Sequence, residues 1–452
     1  MRLDSRRLTA DLLTPVGIYL RLRDMYSQSL LLECGDHSLR SNAMSYICIK
    51  PFRGVEVLPQ GTFYWCLQHR ERMGDAAFAL QAMDLLVADA AGDTPSVFGF
   101  TSFDAVNLFD TVGIRMPAAD DVPLLKYDQY QVVLAYNHVT GTLSVNEQRL
   151  DDEPSILDAV VGRLKGYGFA EHAFRLEGDE VTTTSDADYM ALVERGKQMC
   201  ALGEVFQVVL SRRFSQRYAG DELNVYRALR AINPSPYLFF FDYAGYKLMG
   251  SSPEAQLRVS GGVAQINPIA GTAKKTGNAV VDAQTVSQLL SDAKETSEHA
   301  MLVDLARNDL SRQCRDVRVE QYRDVHSYSH LFHLVSTVSG KLNAGISSYA
   351  MLAASFPAGT LSGAPKHRAV RLIDELEPHN RGFYGGAIGF IGADGLLNHA
   401  IMIRSICCRA GVATYQAGAG VVIGSTPTGE LNEVNHKIAA LRQALHDAQH
   451  IA

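Results

Sequence analysis

The sequence predicts an α+β fold built on large, mostly antiparallel β-sheets, and three observations carry that expectation. Short apolar runs of strand composition recur along the whole chain. Helical patterns lie among them without the regular alternation that a parallel βαβ sheet requires. Glycines punctuate the apolar runs, as they do at tight turns between antiparallel strands.

Taken in order, the first 150 or so residues supply LLLEC (30–34), MSYICIK (44–50), SVFGF (96–100), and QYQVVLAY with TLSVN, the last two joined by a Gly-containing turn. Residues 151–185 hold one helical pattern, PSILDAVVGRL, and a polar run ending TTTSDAD, in which Ser185 and Asp188 suit a helix N-terminus. The expected division falls there, between an N-terminal region (1–165) and a second region (185–452). The next helix is expected to end at Gly203, and VFQVVLSRRF, YLFFFDY, YKLMG, QLRVS and VAQINP follow as strands. Helical periodicity returns at 283–311, 363–377 and 429–448.

Of the 452 residues, 47% are hydrophobic and 20% charged, which suffices for a core without crosslinks. The net charge of -7 comes with interspersed signs and no basic block, which argues against nucleic acid or an anionic membrane as partner. Seven scattered cysteines without C-x-x-C spacing suit reduced core residues better than disulfides or zinc. No segment approaches the ~20 apolar residues of a membrane span, so a reducing cytoplasm is the expected location.

Several patterns carry chemistry. DAKETSEH (292–299) and GELNEVNHK (429–437) each place two glutamates at i, i+3, so Glu295 with Glu298 and Glu430 with Glu433 share helix faces. Two such faces opposed would suit a hard cation such as magnesium; taken singly, either pair reads equally as a solvated face. GTLSGAPK (359–366) lacks the spacing of a nucleotide phosphate loop, which leaves an anion-facing loop with Thr360 and Ser362 as donors. GFYGGAIGFIG (382–392) and YQAGAGVV (415–422) put glycines inside strand-like runs, where something approaches the backbone closely or the strand bulges. Arg404, in IMIRS, offers a planar fork suited to a carboxylate, though taken singly it reads as readily as one half of a structural ion pair, and His326, His330 and His333 lie along one apolar stretch, where most histidines are satisfied core residues.

In this order GEVFQVVLSRRF (203–214), NPSPYLFFF (233–241), GSSPE (250–254), PIAGT (268–272), EHAMLVDLARNDLSR (298–312), HLVSTVSG (333–340), GTLSGAPK, YGGAIGF, IRS, QAGAGVV and E-x-x-E-x-x-x-K resemble the chorismate-utilising enzymes, and within them the anthranilate synthase large subunits. The resemblance is nearly continuous from about 185 to 448. In the N-terminal third it rests on LLEC (31–34), with Cys34 in place of the usual serine. It implies a sandwich of two large sheets flanked by helices, one deep active site, and a regulatory element in the N-terminal region.

The implied reaction joins ammonia to chorismate and releases pyruvate, giving anthranilate through an aminodeoxyisochorismate intermediate. By the same resemblance Glu298 and Glu433 hold Mg2+, with Glu295 and Glu430 on its waters. Arg404 and Tyr384 bind the enolpyruvyl carboxylate, while Gly271, Thr272 and the Gly418, Ala419 and Gly420 backbone surround the ring and the other carboxylate. Glu254 is the expected acid for the departing C4 hydroxyl; His333 lies near it, and Thr360 and Lys437 belong to the same site. Glu33, Cys34, Asn233, Pro234, Ser235 and Tyr237 match a tryptophan-inhibitor site. Isochorismate and salicylate synthases carry lysine where this chain has Gln207, and aminodeoxychorismate synthases carry one where it has Ala270. With no amine at either place, free ammonia is the expected nucleophile. Neither Cys407 nor Cys408 sits in a Gly-x-Cys-x-Gly elbow, so a separate glutamine amidotransferase subunit is the implied partner. The competing readings are aminodeoxychorismate synthase, isochorismate or salicylate synthase, and an inactive regulatory relative.

Overall fold

Two long strands, Met44–Leu58 and Leu125–Asn137, pair antiparallel along their whole length and form a spine from which the other strands extend. The computed structural model describes residues 1–35, 43–90, 92, 94–117, 122–150, 153–166, 168–327 and 331–451. From Met44–Leu58 one arm runs through Leu30–Cys34, Tyr237–Asp242, Lys247–Ser252, Ser405–Arg409, Val412–Val421 and Gln207–Gly220. From Leu125–Asn137 a second arm runs through Val97–Thr101, Ala387–Ile391, Leu397–Ile401, Ala255–Ser260, Val263–Ile266 and Leu331–Leu342. Ile269–Lys274 and Cys314–Ser327 flank the last of these.

Strand alternation turns the arms into two layers. Leu30, Leu32, Phe239 and Phe241 of the first arm share one core with Phe98, Phe100, Ile388 and Phe390 of the second. Leu31 and Phe240 point the other way, into the core under the helices, where Phe240 meets Tyr19 and Tyr226 at 5.6 and 5.8 Å. The expected sandwich is therefore present with one correction. Its layers are not separate sheets, because the 22 described strands form a single hydrogen-bonded network. A register shift between Pro51 and Arg53, next to Lys50 at φ 58°, bends the spine so that one strand serves both layers. In each arm a strand from before residue 165 pairs directly with one from after residue 185, Leu30–Cys34 with Tyr237–Asp242 and Val97–Thr101 with Ala387–Ile391.

The helices follow the sequence signals closely. Ser185 and Asp188 form a reciprocal capping box on Asp186–Ala201, and Gly203 follows it at φ 77°. The 283–311 pattern is two helices, Ala279–Ser291 and Ala293–Ser311, divided at Asp292. The Asp292 carboxylate accepts from the Glu295 N–H at 3.0 Å, capping the second helix and setting Glu295 in its first turn. The last two patterns appear as Lys366–Leu376 and Pro427–Asp447. Strands Arg2–Thr9, Gly61–Cys66 and His69–Gly74 had no counterpart in the sequence reading. No described helix is long and apolar enough to cross a membrane.

Candidate active site

Glu254 ends the GSSPE turn between Lys247–Ser252 and Ala255–Ser260. The Thr360 hydroxyl, on the short helix Gly359–Ser362, donates to its Oε1 at 3.1 Å. A cavity of about 30 Å3 beside the pair is walled by Leu302, Leu305 and Ala306 of the Ala293–Ser311 helix. Burial pushes the Glu254 carboxyl from the usual 4.5 up to about 7, against the opposing pull of Thr360, Lys437 and Arg404. Desolvation outweighs three favourable partners, so near neutral pH this group holds a proton it can give away.

Arg404 sits in the left-handed region at φ 49°, rare for a side chain of its size. Its carbonyl accepts from the Ser251 N–H at 3.1 Å, and its Nη1 lies 3.4 Å from Asn233 Oδ1. Burial lowers its pKa, while Glu254 and Glu433 act against the shift. A guanidinium remains charged there, and its planar fork has the shape to meet a carboxylate.

His333 lies on Leu331–Leu342, paired with Thr272 on one side and His326 on the other. Its Nδ1 is 3.3 Å from the Gly271 carbonyl, which only accepts, so the proton resides on Nδ1 and Nε2 keeps its lone pair. Burial lowers its pKa, leaving a neutral imidazole. Gly271 occupies a bulge at φ 67°, a conformation glycine adopts freely. His330 falls outside the described residues.

The glycine-rich strand Val412–Val421 forms another wall. A side chain at Gly418 would come within 2.9 Å of the Leu210 carbonyl and 3.1 Å of the Tyr384 hydroxyl, and at Gly420 within 2.2 Å of Gln207 Nε2. These glycines let Tyr384 and Gln207 lie against bare backbone, with buried Ala419 between them. Lys437, on Pro427–Asp447, donates to the Gly418 carbonyl at 2.9 Å and stands 3.2 Å from Glu433 Oε1.

The four acidic residues occupy the N-terminal turns of two helices, Glu295 and Glu298 on one, Glu430 and Glu433 on the other. Glu295 Oε2 lies 3.3 Å from where a Gly271 Cβ would stand, which brings that carboxylate to the His333 partner. Among the described residues no three His, Cys, Asp or Glu side chains gather into a ready cage. The donors are nonetheless hard carboxylate oxygens, and magnesium takes only one or two of these with water and substrate oxygen, so the set fits that ion.

The residues matched to an inhibitor site lie on adjacent strands and the turn before one of them. Cys34 faces Tyr237 across adjacent strands. Buried Glu33 accepts from Tyr226 at 2.5 Å and from Arg230 at 2.7 and 2.9 Å. The Tyr237 hydroxyl donates to Asn398 at 2.9 Å. Ser235 is buried, Pro234 exposed, and Asn233 reaches Arg404, joining this cluster to the site above. Sequence reasoning missed Glu377 and Arg381, which lie beneath Tyr384 and Leu361. No local pattern marks Arg381, because its carbonyl acceptors Val209 and Leu361 lie on distant elements.

Over residues 48–443 the chain matches the family described as chorismate binding enzymes. It is 33% identical to anthranilate synthase component 1 of Aquifex aeolicus over 480 aligned residues, covering 98% of this chain and 94% of the relative. It is 48% identical to that of Arthrobacter globiformis over 271 residues, a match spanning 58% of this chain and 51% of the relative. The solved structure of anthranilate synthase component I from Streptococcus pneumoniae shares its fold with a TM-score of 0.78 at 30% identity, over 97% of this chain and 99% of that one. A family match across most of the length, with relatives above 30% identity along nearly all of it, shows that the chain belongs to the chorismate binding enzyme family, among the anthranilate synthase component 1 proteins.

Proposed function

We propose that this chain converts chorismate and ammonia into anthranilate, pyruvate and water. The observation that carries the reading is Glu254, a half-buried carboxyl that accepts from the Thr360 hydroxyl at 3.1 Å and whose pKa desolvation raises to about 7. Ammonia forms the C2–N bond as the C4–O bond breaks, and the Glu254 proton leaves with the hydroxyl as water. The neutral imidazole of His333 stands ready for the proton transfer that accompanies loss of the enolpyruvyl group as pyruvate. Buried Arg404 and the Tyr384 hydroxyl suit the enolpyruvyl carboxylate, and the Gly418–Gly420 backbone suits the ring's own carboxylate.

Two positions support ammonia over other nucleophiles. Gln207 is an amide packed on Gly420 and cannot act as a base toward water. Ala270 offers no amine to attack the ring. The Glu298 and Glu433 carboxylates would hold magnesium, with Glu295 and Glu430 on its waters. Bound there, the ion neutralises a substrate carboxylate and fixes its orientation. Ammonia comes from a separate glutamine amidotransferase subunit, and tryptophan acts as inhibitor at the Glu33, Cys34, Asn233, Pro234, Ser235 and Tyr237 cluster. The test supplies purified protein with chorismate, magnesium and ammonium and follows anthranilate fluorescence. Formation of para-aminobenzoate, isochorismate or salicylate instead would overturn the reading.

A further inference from the structure

Arg381 is among the largest fully buried side chains of the described residues, at 1% exposure, and its guanidinium donates four hydrogen bonds. Nε and Nη2 donate to the Glu377 carboxylate at 3.0 and 2.6 Å, Nη2 donates to the Val209 carbonyl at 2.7 Å, and Nη1 donates to the Leu361 carbonyl at 2.5 Å. Its plane also lies over the Tyr384 ring, 5.7 Å from the centroid. Glu377 Oε1 in turn accepts from the backbone N–H and the hydroxyl of Ser211, both at 2.7 Å. Ser211 is the cross-strand partner of Gly418. One buried ion pair thus grips three walls of the site: the 359–362 turn, Tyr384 and the glycine strand.

We propose that the Glu377–Arg381 pair is a positioning device for the catalytic acid, holding the Leu361 carbonyl so that the neighbouring Thr360 hydroxyl stays on Glu254. The inference rests on the reading of Glu254 as the acid. A planar fork is needed because four acceptor contacts radiate from one group, and a lysine ammonium cannot span them. Thr360 donates to the carboxylate and so favours its ionised form. Slackening that bond raises the Glu254 pKa and weakens its alignment together.

The experiment measures anthranilate formation against pH, and thermal melting, for wild type, Arg381→Lys, Ser211→Ala, Thr360→Val and the Arg381→Lys/Thr360→Val double variant. Asp89→Asn breaks the Arg53–Asp89 pair, on elements that carry none of the site residues, and controls for lost stability alone. Arg381→Lys should lower kcat by about 10- to 100-fold per folded molecule and move the alkaline limb of kcat/KM to higher pH. Ser211→Ala, a gentler loosening, should move it the same way. The double variant should show the limb of Thr360→Val alone, because the effect passes through that hydroxyl. The proposal is overturned if activity merely follows the folded fraction, as in Asp89→Asn, or if the two limb shifts add. Should Arg381→Lys not fold, Ser211→Ala against Thr360→Val decides by the same criterion. Full activity in Glu254→Gln would sink the acid assignment and the proposal together, whereas an inactive Glu254→Gln beside an unmoved limb would sink the proposal alone.

Discussion

A carboxyl taken out of water ionises reluctantly, and at Glu254 that reluctance exceeds the attraction of Arg404 and Lys437 and the hydrogen bond of Thr360. The native protein binds this proton more tightly than the unfolded chain does. Folding stability attached to it is therefore full below pH 4.5 and declines until about pH 7, by about 3 kcal/mol. Glu254→Gln should accordingly be inactive yet more resistant to denaturant than wild type at pH 8, with the difference vanishing at pH 4. Wild-type kcat/KM, corrected for the fraction of free ammonia, should fall above about pH 7; a flat profile there would contradict the assigned role. Glu298→Gln and Glu433→Gln should each leave the circular dichroism unchanged and abolish turnover at all magnesium concentrations, because few anionic ligands hold the ion. Undiminished turnover in either variant would remove the metal assignment.

Elements deliver these residues, and glycine decides how closely. In Val412–Val421 the two glycines predict opposite outcomes for the same substitution. A methyl at Gly418 meets the Leu210 carbonyl, which is backbone and cannot yield, so Gly418→Ala should lose about 1–3 kcal/mol of stability along with activity. A methyl at Gly420 meets only the tip of Gln207, so Gly420→Ala should melt like wild type while KM for chorismate rises as Gln207 is displaced into the site. Equal melting losses in the two variants would refute this account. The E-x-x-E spacings, the capping box at Ser185 and the glycine runs were legible because each is a local pattern on one element. The break at Asp292 was not, since a single capping carboxylate divides an otherwise continuous helical periodicity. Arg381 was not legible either, because its acceptors Val209 and Leu361 lie on distant elements and no local pattern records them.

Across the whole molecule, one active site draws on strands from both arms and on three helices, and the ammonia it consumes is nearly all ammonium at neutral pH. With ammonium chloride the isolated chain should be slow and quicken as pH rises toward 7, and glutamine alone should give nothing. Adding the amidotransferase subunit should confer glutamine-dependent anthranilate synthesis, and glutamine-driven turnover by the chain alone would refute the need for a partner. The single strand network also sets a timetable for the ribosome. Leu30–Cys34 finds its second neighbour only at Tyr237–Asp242, about 200 residues later, which is roughly 10–40 s of translation. Val97–Thr101 waits longer still, for Ala387–Ile391. Ribosome-bound chains arrested before residue 237 should be cut by protease across 30–34, whereas the finished protein resists. Until the last third emerges, the nascent chain presents unpaired apolar strand edges, and its yield in a cell depends on what shields them in the interval.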